Sequence, residues 1–170
     1  MANKKVSRFS GSKKSKKNIS RNDALLSNKT PFQVTEAYKT IRTNLLYSLG
    51  ATGNQVVVVS SSAPSEGKST TCANLAVTLA QTGVKVILID ADLRKPVQYK
   101  LFHCNNSQGL SKVLVGFSSL EECVKTEIAP NLDLLPSGPT PPNPAELLGS
   151  KNMRELLDLL RENYDYILID

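Results

Sequence analysis

Residues 56 to 70, Val-Val-Val-Val-Ser-Ser-Ser-Ala-Pro-Ser-Glu-Gly-Lys-Ser-Thr, constrain the fold more than any other stretch of the chain. Four valines in a row predict a strand covered on both faces, and the apolar run passes directly into a loop with phosphate-binding spacing. Ser62-Ala63-Pro64-Ser65-Glu66-Gly67-Lys68-Ser69 fits Gly-x-x-x-x-Gly-Lys-Ser except that Ser62 stands where glycine or alanine is usual. After it, Cys72, Leu75, Ala76 and Leu79 recur at helical spacing up to Gly83. Strand, loop and helix in that order are what a P-loop requires, so the reading is nucleotide chemistry.

Each residue type in that loop has a physical reason. Successive backbone N–H groups and the N-terminus of the following helix face phosphate oxygens. Gly67 permits close approach of the backbone, Lys68 neutralises the β and γ phosphates, and Ser69 can ligate Mg²⁺. Lys85-Val-Ile-Leu-Ile-Asp90 reads as a second buried strand and Tyr164-Asp-Tyr-Ile-Leu-Ile-Asp170 as a later one, each ending in a carboxylate. In open α/β sheets that carboxyl end is the edge where ligands bind. Asp90 and Asp92, with Arg94 beside them, would share the work of placing a metal ion and of orienting or deprotonating a hydroxyl nucleophile. Which of the two does which stays open.

Between these landmarks, Tyr38, Ile41, Leu45 and Leu49 predict an amphipathic helix over 33–49 that ends at Gly50. The pattern predicts a strand over 55–60, a helix over 67–82, short helices within 96–127 and a strand over 131–136. Ser137-Gly-Pro-Thr-Pro-Pro142 reads as a loop. Asn143 is the expected N-cap of a short helix through Leu148, with Pro144 at its first position and Glu146 completing a variant capping box. Met153, Leu156, Leu157 and Leu160 mark the inner face of a last helix. Alternating strands and helices imply an α/β fold with a mostly parallel sheet.

At 170 residues, 40% hydrophobic, the chain suits one such domain. Its formal charge of +6 belongs to the N-terminus: residues 1–22 hold eight Lys/Arg and no acid, leaving thirteen basic against fifteen acidic residues elsewhere. The expected division is a basic, disordered tail over 1–30 and a nucleotide-binding domain over 31–170. The tail suits weak contact with anionic membrane and no specific nucleic acid. No apolar run approaches the about 18 residues of a membrane span. Cys72, Cys104 and Cys123 are widely spaced and form no metal-binding pair, and the single histidine, His103, receives no role. A domain that stops on the carboxylate of a nucleotide-binding strand is expected to be a fragment, with an incomplete C-terminal side.

Three segments, Ser62 to Thr70, Ile87-Leu-Ile-Asp90-Ala-Asp92-Leu-Arg94 and Ile167-Leu-Ile-Asp170, closely resemble the Walker A, A′ and B motifs of the bacterial tyrosine kinases (BY-kinases) of capsule and exopolysaccharide synthesis. The chain looks like the split type, in which a cytoplasmic kinase subunit acts with a separate transmembrane activator at the inner face of the cell membrane. The resemblance implies a MinD/Mrp-like P-loop fold. ATP would be bound by Ser62, Ala63, Pro64, Ser65, Glu66, Gly67, Lys68, Ser69, Thr70 and Arg94. Mg²⁺ would be held by Ser69, Asp90 and Asp170, and Lys68, Asp90 and Asp92 would serve transfer of the γ-phosphoryl to tyrosine-containing proteins, including copies of the chain itself. Glu36, Lys39 and Arg42 match the family's Glu-x-x-Arg-x-x-Arg oligomerisation motif with Lys39 at the first Arg, which implies a homo-oligomer through the 33–49 helix. The alternatives are a MinD/ParA-type ATPase switch, whose signature lysine would fall at Ala63, and a nucleotide-dependent regulatory module without catalysis.

Overall fold

The computed structural model describes residues 24–27, 29–49 and 54–170. A five-stranded sheet forms the centre: β1 (Gln55–Val58), β2 (Val86–Ile89), β3 (Lys125–Ala129), β4 (Leu132–Leu135) and β5 (Tyr166–Ile169), in the spatial order β1-β5-β2-β4-β3. The first four strands of that row are parallel, and β3 is antiparallel to β4. Every residue of β2 and β5 is buried, as their unbroken Ile/Leu/Val character requires of strands covered on both faces.

Helices cover both sides. On one face α1 (Phe32–Leu49) and α2 (Lys68–Ala80) pack on Val86, Leu88, Leu134 and Leu168 through Leu45, Cys72, Leu75 and Leu79. On the other, α4 (Leu110–Leu114), α5 (Leu120–Cys123) and α7 (Lys151–Arg161) bring Leu110, Leu114, Cys123, Met153, Leu156 and Leu160 against Ile87, Ile89, Ile167 and Ile169. The alternation of side chains along each strand thus divides the core into two layers. α3 (Gln98–Leu101) and α6 (Pro144–Leu148) are short pieces near the carboxyl edge of the sheet.

Several expectations are corrected. The valine strand β1, at the edge of the described sheet, is not covered on both faces: Val56 and Val57 are only partly buried and Val58 is 67% exposed. In α1, Ile41 faces solvent and Arg42 turns inward, because the partly buried stripe runs through Tyr38, Arg42, Leu45, Leu46 and Leu49. Residues 125–127, the end of the stretch expected to be short helices, belong instead to β3. Asn143 makes no capping bond; its amide Nδ2 donates to Glu146 Oε2 at 2.7 Å. A complete capping box occurs instead at Ser119 and Glu122. Ala24 and Leu25, placed in the tail, pack on the core, and the Asn74 side chain accepts from Leu26 N at 2.8 Å and donates to Ala24 O at 2.9 Å. The basic residues of the tail and the expected helix stop at Gly50 lie outside the described residues.

Candidate functional site

The carboxyl ends of β1, β2 and β5 converge on the N-terminus of α2. The connection from β1 to α2 is solvent-exposed from Ser60 to Gly67. Gly67, at the N-cap of α2, has φ 92, a left-handed conformation that glycine adopts freely, and Ser65 has φ 66. The loop is braced by its own side chains: Glu66 Oε2 accepts from Ala63 N at 3.0 Å and Ser62 Oγ at 3.2 Å. With no side-chain cap on α2, its first N–H groups stay available to an anion.

Lys68 opens the helix and its ammonium lies 2.7 Å from Asp170 Oδ1 at the end of β5. Burial alone would lower the Lys68 pKa; the hydrogen bond and charge of Asp170, with Asp92 and Asp90 behind, outweigh it and hold it above its ordinary value. The other Asp170 oxygen, Oδ2, accepts from Gln98 Nε2 at 2.6 Å. Asp170 is thereby fixed on both sides, as a carboxylate only 6% exposed demands.

Asp90 and Asp92 have separated environments. Asp90 is fully buried, and its Oδ2 accepts from the backbone N–H groups of Val97 and Gln98 at 3.1 and 2.9 Å. Burial pushes its carboxyl up to about 7; the Asp170 charge adds to the rise, and those N–H groups oppose it. Asp92 Oδ1 accepts from Lys95 N at 2.9 Å and Arg94 N at 3.3 Å, a local turn that aims Arg94 outward. Asp92 lines a cavity of about 290 Å³ with Lys68, Arg94 and Asp170 on one side and Pro144, Ala145 and Leu148 of α6 on the other.

Lys68, Asp90, Asp92, Arg94 and Asp170 therefore come together at one edge of the sheet. Glu36, Lys39 and Arg42 are elsewhere, on α1: Lys39 Nζ pairs with Glu36 Oε1 at 2.8 Å, and Arg42 Nη1 donates to Thr78 O at 2.9 Å, a cation placed on a late carbonyl of α2. Two residues that sequence reasoning passed over prove central. Gln98 is fully buried among the three motif segments, and Asn74 ties α2 to the chain before α1. Neither carries a spacing signal, since each acts through a partner far away in sequence.

The donors present suit a hard divalent cation. They are all oxygens, and Asp90 Oδ1 is buried without a hydrogen-bond partner, an acceptor left over for a ligand. Among the described residues no three His, Cys, Asp or Glu side chains gather into a self-sufficient metal cage. That fits an ion held by one or two carboxylates together with phosphate oxygens.

A P-loop on the carboxyl edge of a mostly parallel sheet, faced by acid-terminated strands, defines a nucleotide-binding domain of the P-loop NTPase class. MinD from Pyrococcus horikoshii, complexed with Mg-ADP, superposes with a TM-score of 0.58 at 28% identity over 68% of this chain and 48% of that one. Residues 54–170 match the family described as AAA domain. The tyrosine-protein kinase YwqD of Bacillus subtilis (strain 168) is 49% identical over 136 residues, 80% of this chain and 57% of its own length. The chimerical protein CapA2B2 superposes with a TM-score of 0.76 at 42% identity, over 84% of this chain and 62% of that one. For the VpsO kinase domain the TM-score is 0.70 at 38% identity, over 81% and 69%. The chain belongs to the bacterial tyrosine kinase family, matching its kinase domain, and it spans little more than half the length of YwqD. No helix among the described residues is long and apolar enough to cross a membrane.

Proposed function

We propose that the chain is the nucleotide-binding part of an ATP-dependent protein-tyrosine kinase serving capsule or exopolysaccharide synthesis. The observation that carries this reading is the shared cavity: Lys68 and Asp170 meet Asp92 and Arg94 across a space whose far wall is the apolar Pro144, Ala145 and Leu148. A phenol ring could lie against that wall with its hydroxyl toward the carboxylate. Backbone N–H groups of residues 65–70, at the end of the loop and the α2 N-terminus, would take the phosphates of ATP, with Lys68 leaving Asp170 for the β and γ oxygens. Asp92, which lines the cavity, would accept the phenolic proton as the oxygen attacks the γ-phosphorus and the bond from that phosphorus to the β–γ bridging oxygen breaks to release ADP, while Arg94 faces the developing charge. Asp90, fully buried, would act from behind. Ser69 and Asp170 would hold Mg²⁺, with Asp90 Oδ1 reaching it through its water ligands, and the ion when bound neutralises phosphate charge.

The family suggests partners of the same kind as its split members have: a separate transmembrane activator at the inner face of the membrane, and further copies of the kinase through α1. Half-buried Glu36 and Lys39 pair with each other and could re-pair across such an interface, whereas Arg42 is engaged with the Thr78 carbonyl. The basic residues of 1–22 would add weak attraction to anionic lipid.

The test is incubation with γ-labelled ATP, Mg²⁺ and a tyrosine-containing acceptor polypeptide, followed by phosphoamino-acid analysis. Phosphotyrosine formed by the wild type and reduced about 100-fold or more in Asp92→Ala is expected. Inorganic phosphate without phosphotyrosine would replace this reading with the ATPase switch.

A further inference from the structure

Gln98 belongs to none of the three motifs, yet its atoms touch all of them. Its side chain Nε2 donates to Ser69 O, in the first turn of α2, at 3.0 Å, and to Asp170 Oδ2 at 2.6 Å. Its backbone N donates to Asp90 Oδ2 at 2.9 Å. These contacts span 29, 72 and 8 positions of sequence, so one residue closes the phosphate loop, β5 and β2 into a single unit. Gln98 is fully buried and has no exposed face to serve another purpose.

Two further facts give that unit a direction. Asp170 has two side-chain partners, Lys68 on Oδ1 and Gln98 on Oδ2. A phosphate that draws Lys68 away leaves a nearly buried carboxylate whose remaining protein donor is Gln98, and a buried charge without a donor is costly. The described residues also contain two buried side-chain atoms with no hydrogen-bond partner, Asp90 Oδ1 and Gln98 Oε1. They belong to two residues in direct contact, since Gln98 N donates to the other Asp90 oxygen. Two orphaned acceptors on contacting residues ask for donors, and a hydrated cation offers them through its water ligands.

We propose that Gln98 is a positioning residue that keeps Asp170 oriented once Lys68 has turned to the nucleotide, and that Gln98 Oε1, with Asp90 Oδ1, accepts from water on the divalent cation accompanying that nucleotide. The proposal rests on the nucleotide-binding reading above and goes beyond it by assigning the cation's outer hydrogen bonds to a residue outside the motifs. Gln98 acts through Asp170 and through water, and touches no reacting atom.

The experiment is a binding titration of a fluorescent ATP analogue by the chain as it stands, with Mg²⁺ and with EDTA, comparing wild type, Gln98→Met and Gln98→Asn. Met fills the same space without a donor or a carbonyl; Asn keeps the amide but withdraws it by one methylene. In the wild type, Mg²⁺ is expected to tighten binding. In Gln98→Met that gain should shrink by about 10-fold or more, the loss usual for groups that orient metal ligands, while affinity in EDTA stays within about 2-fold. Gln98→Asn should lose part of the gain in the same selective way. Melting without nucleotide separates folding from function, and if the Met variant melts early the Asn variant decides the matter. A Mg²⁺ gain equal to wild type in the folded variants overturns the proposal, as does an equal loss with and without Mg²⁺, which would mark Gln98 as ordinary packing. A wild type that binds no nucleotide removes the function proposed above and this inference with it.

Discussion

Lys68 and Asp170 are each other's counter-charge, at 2.7 Å, so the lysine that nucleotide binding needs is held in an ion pair. Lys68→Met keeps the stem and deletes the ammonium. Calorimetric titration should then show nucleotide affinity reduced at least 100-fold, because the phosphates lose their cation and Asp170 loses its counter-charge together. Affinity within a few-fold of wild type would remove Lys68 from the site. Asp90 supports a prediction about pH. Its folded pKa, about 7, is raised above the ordinary 3.8, so the folded state holds the proton more tightly than the unfolded chain. Its contribution to stability is complete below about 4 and is lost as pH rises through about 7, with a slope of up to about 1.4 kcal/mol per pH unit. Asp90→Asn removes the ionisation, so unfolding curves from pH 4 to 8 should show the wild type losing stability relative to the variant up to about 7, and a constant difference beyond. Parallel behaviour throughout would mean that the buried carboxyl titrates as it does in water.

At the scale of elements, α2 carries more than the phosphate loop. Asn74, 3% exposed, accepts from Leu26 N and donates to Ala24 O, so one side chain two turns into α2 holds the chain that leads into α1. Replacing it with alanine strands two backbone groups, and urea unfolding should show a loss of about 2 kcal/mol, at roughly 1 kcal/mol per hydrogen bond. Limited proteolysis should open first before residue 30 in the variant; an unchanged digestion pattern would place the anchor elsewhere. Elements whose signal is local were legible in the sequence: β2 and β5 from their Ile/Leu runs, α2 from the loop before it, and α7 from Met153, Leu156 and Leu160. β3 was not, because Lys-Thr-Glu-Ile-Ala is a half-solvated strand with a weak local pattern, held by its pairing with β4 and by Ile128 and Ala129 against the core. Ile41 and Arg42 exchanged roles for a related reason: helical spacing locates a stripe to within one residue, and the Thr78 carbonyl selects the arginine. The three motif segments could be read to the residue, whereas Gln98 and Asn74 could not, since long-range partners define them.

For the whole molecule, the described sheet runs from a valine strand, β1, at one edge to the half-solvated β3 at the other. Among the described residues β1 has one strand neighbour, β5, paired in register from Gln55↔Tyr166 to Val58↔Ile169. Two consecutive valines of this edge, Val56 and Val57, are only partly buried and Val58 is 67% exposed. Apolar edge strands are templates for pairing with another strand, and proteins that leave them open place charges, proline or a bulge there. β1 carries none of these. The chain should therefore have, besides α1, a second surface for self-association at β1, distinct from the nucleotide cavity. Val58→Lys places a charge on this edge at a position already mostly in solvent, so folding should be little affected. Sedimentation velocity across a concentration series should show weaker association in the variant than in the wild type, with nucleotide affinity unchanged between them. Equal association would locate the contact on another face, α1 first, and monomers in both would mean that the valine edge is covered in solution by the chain's own residues.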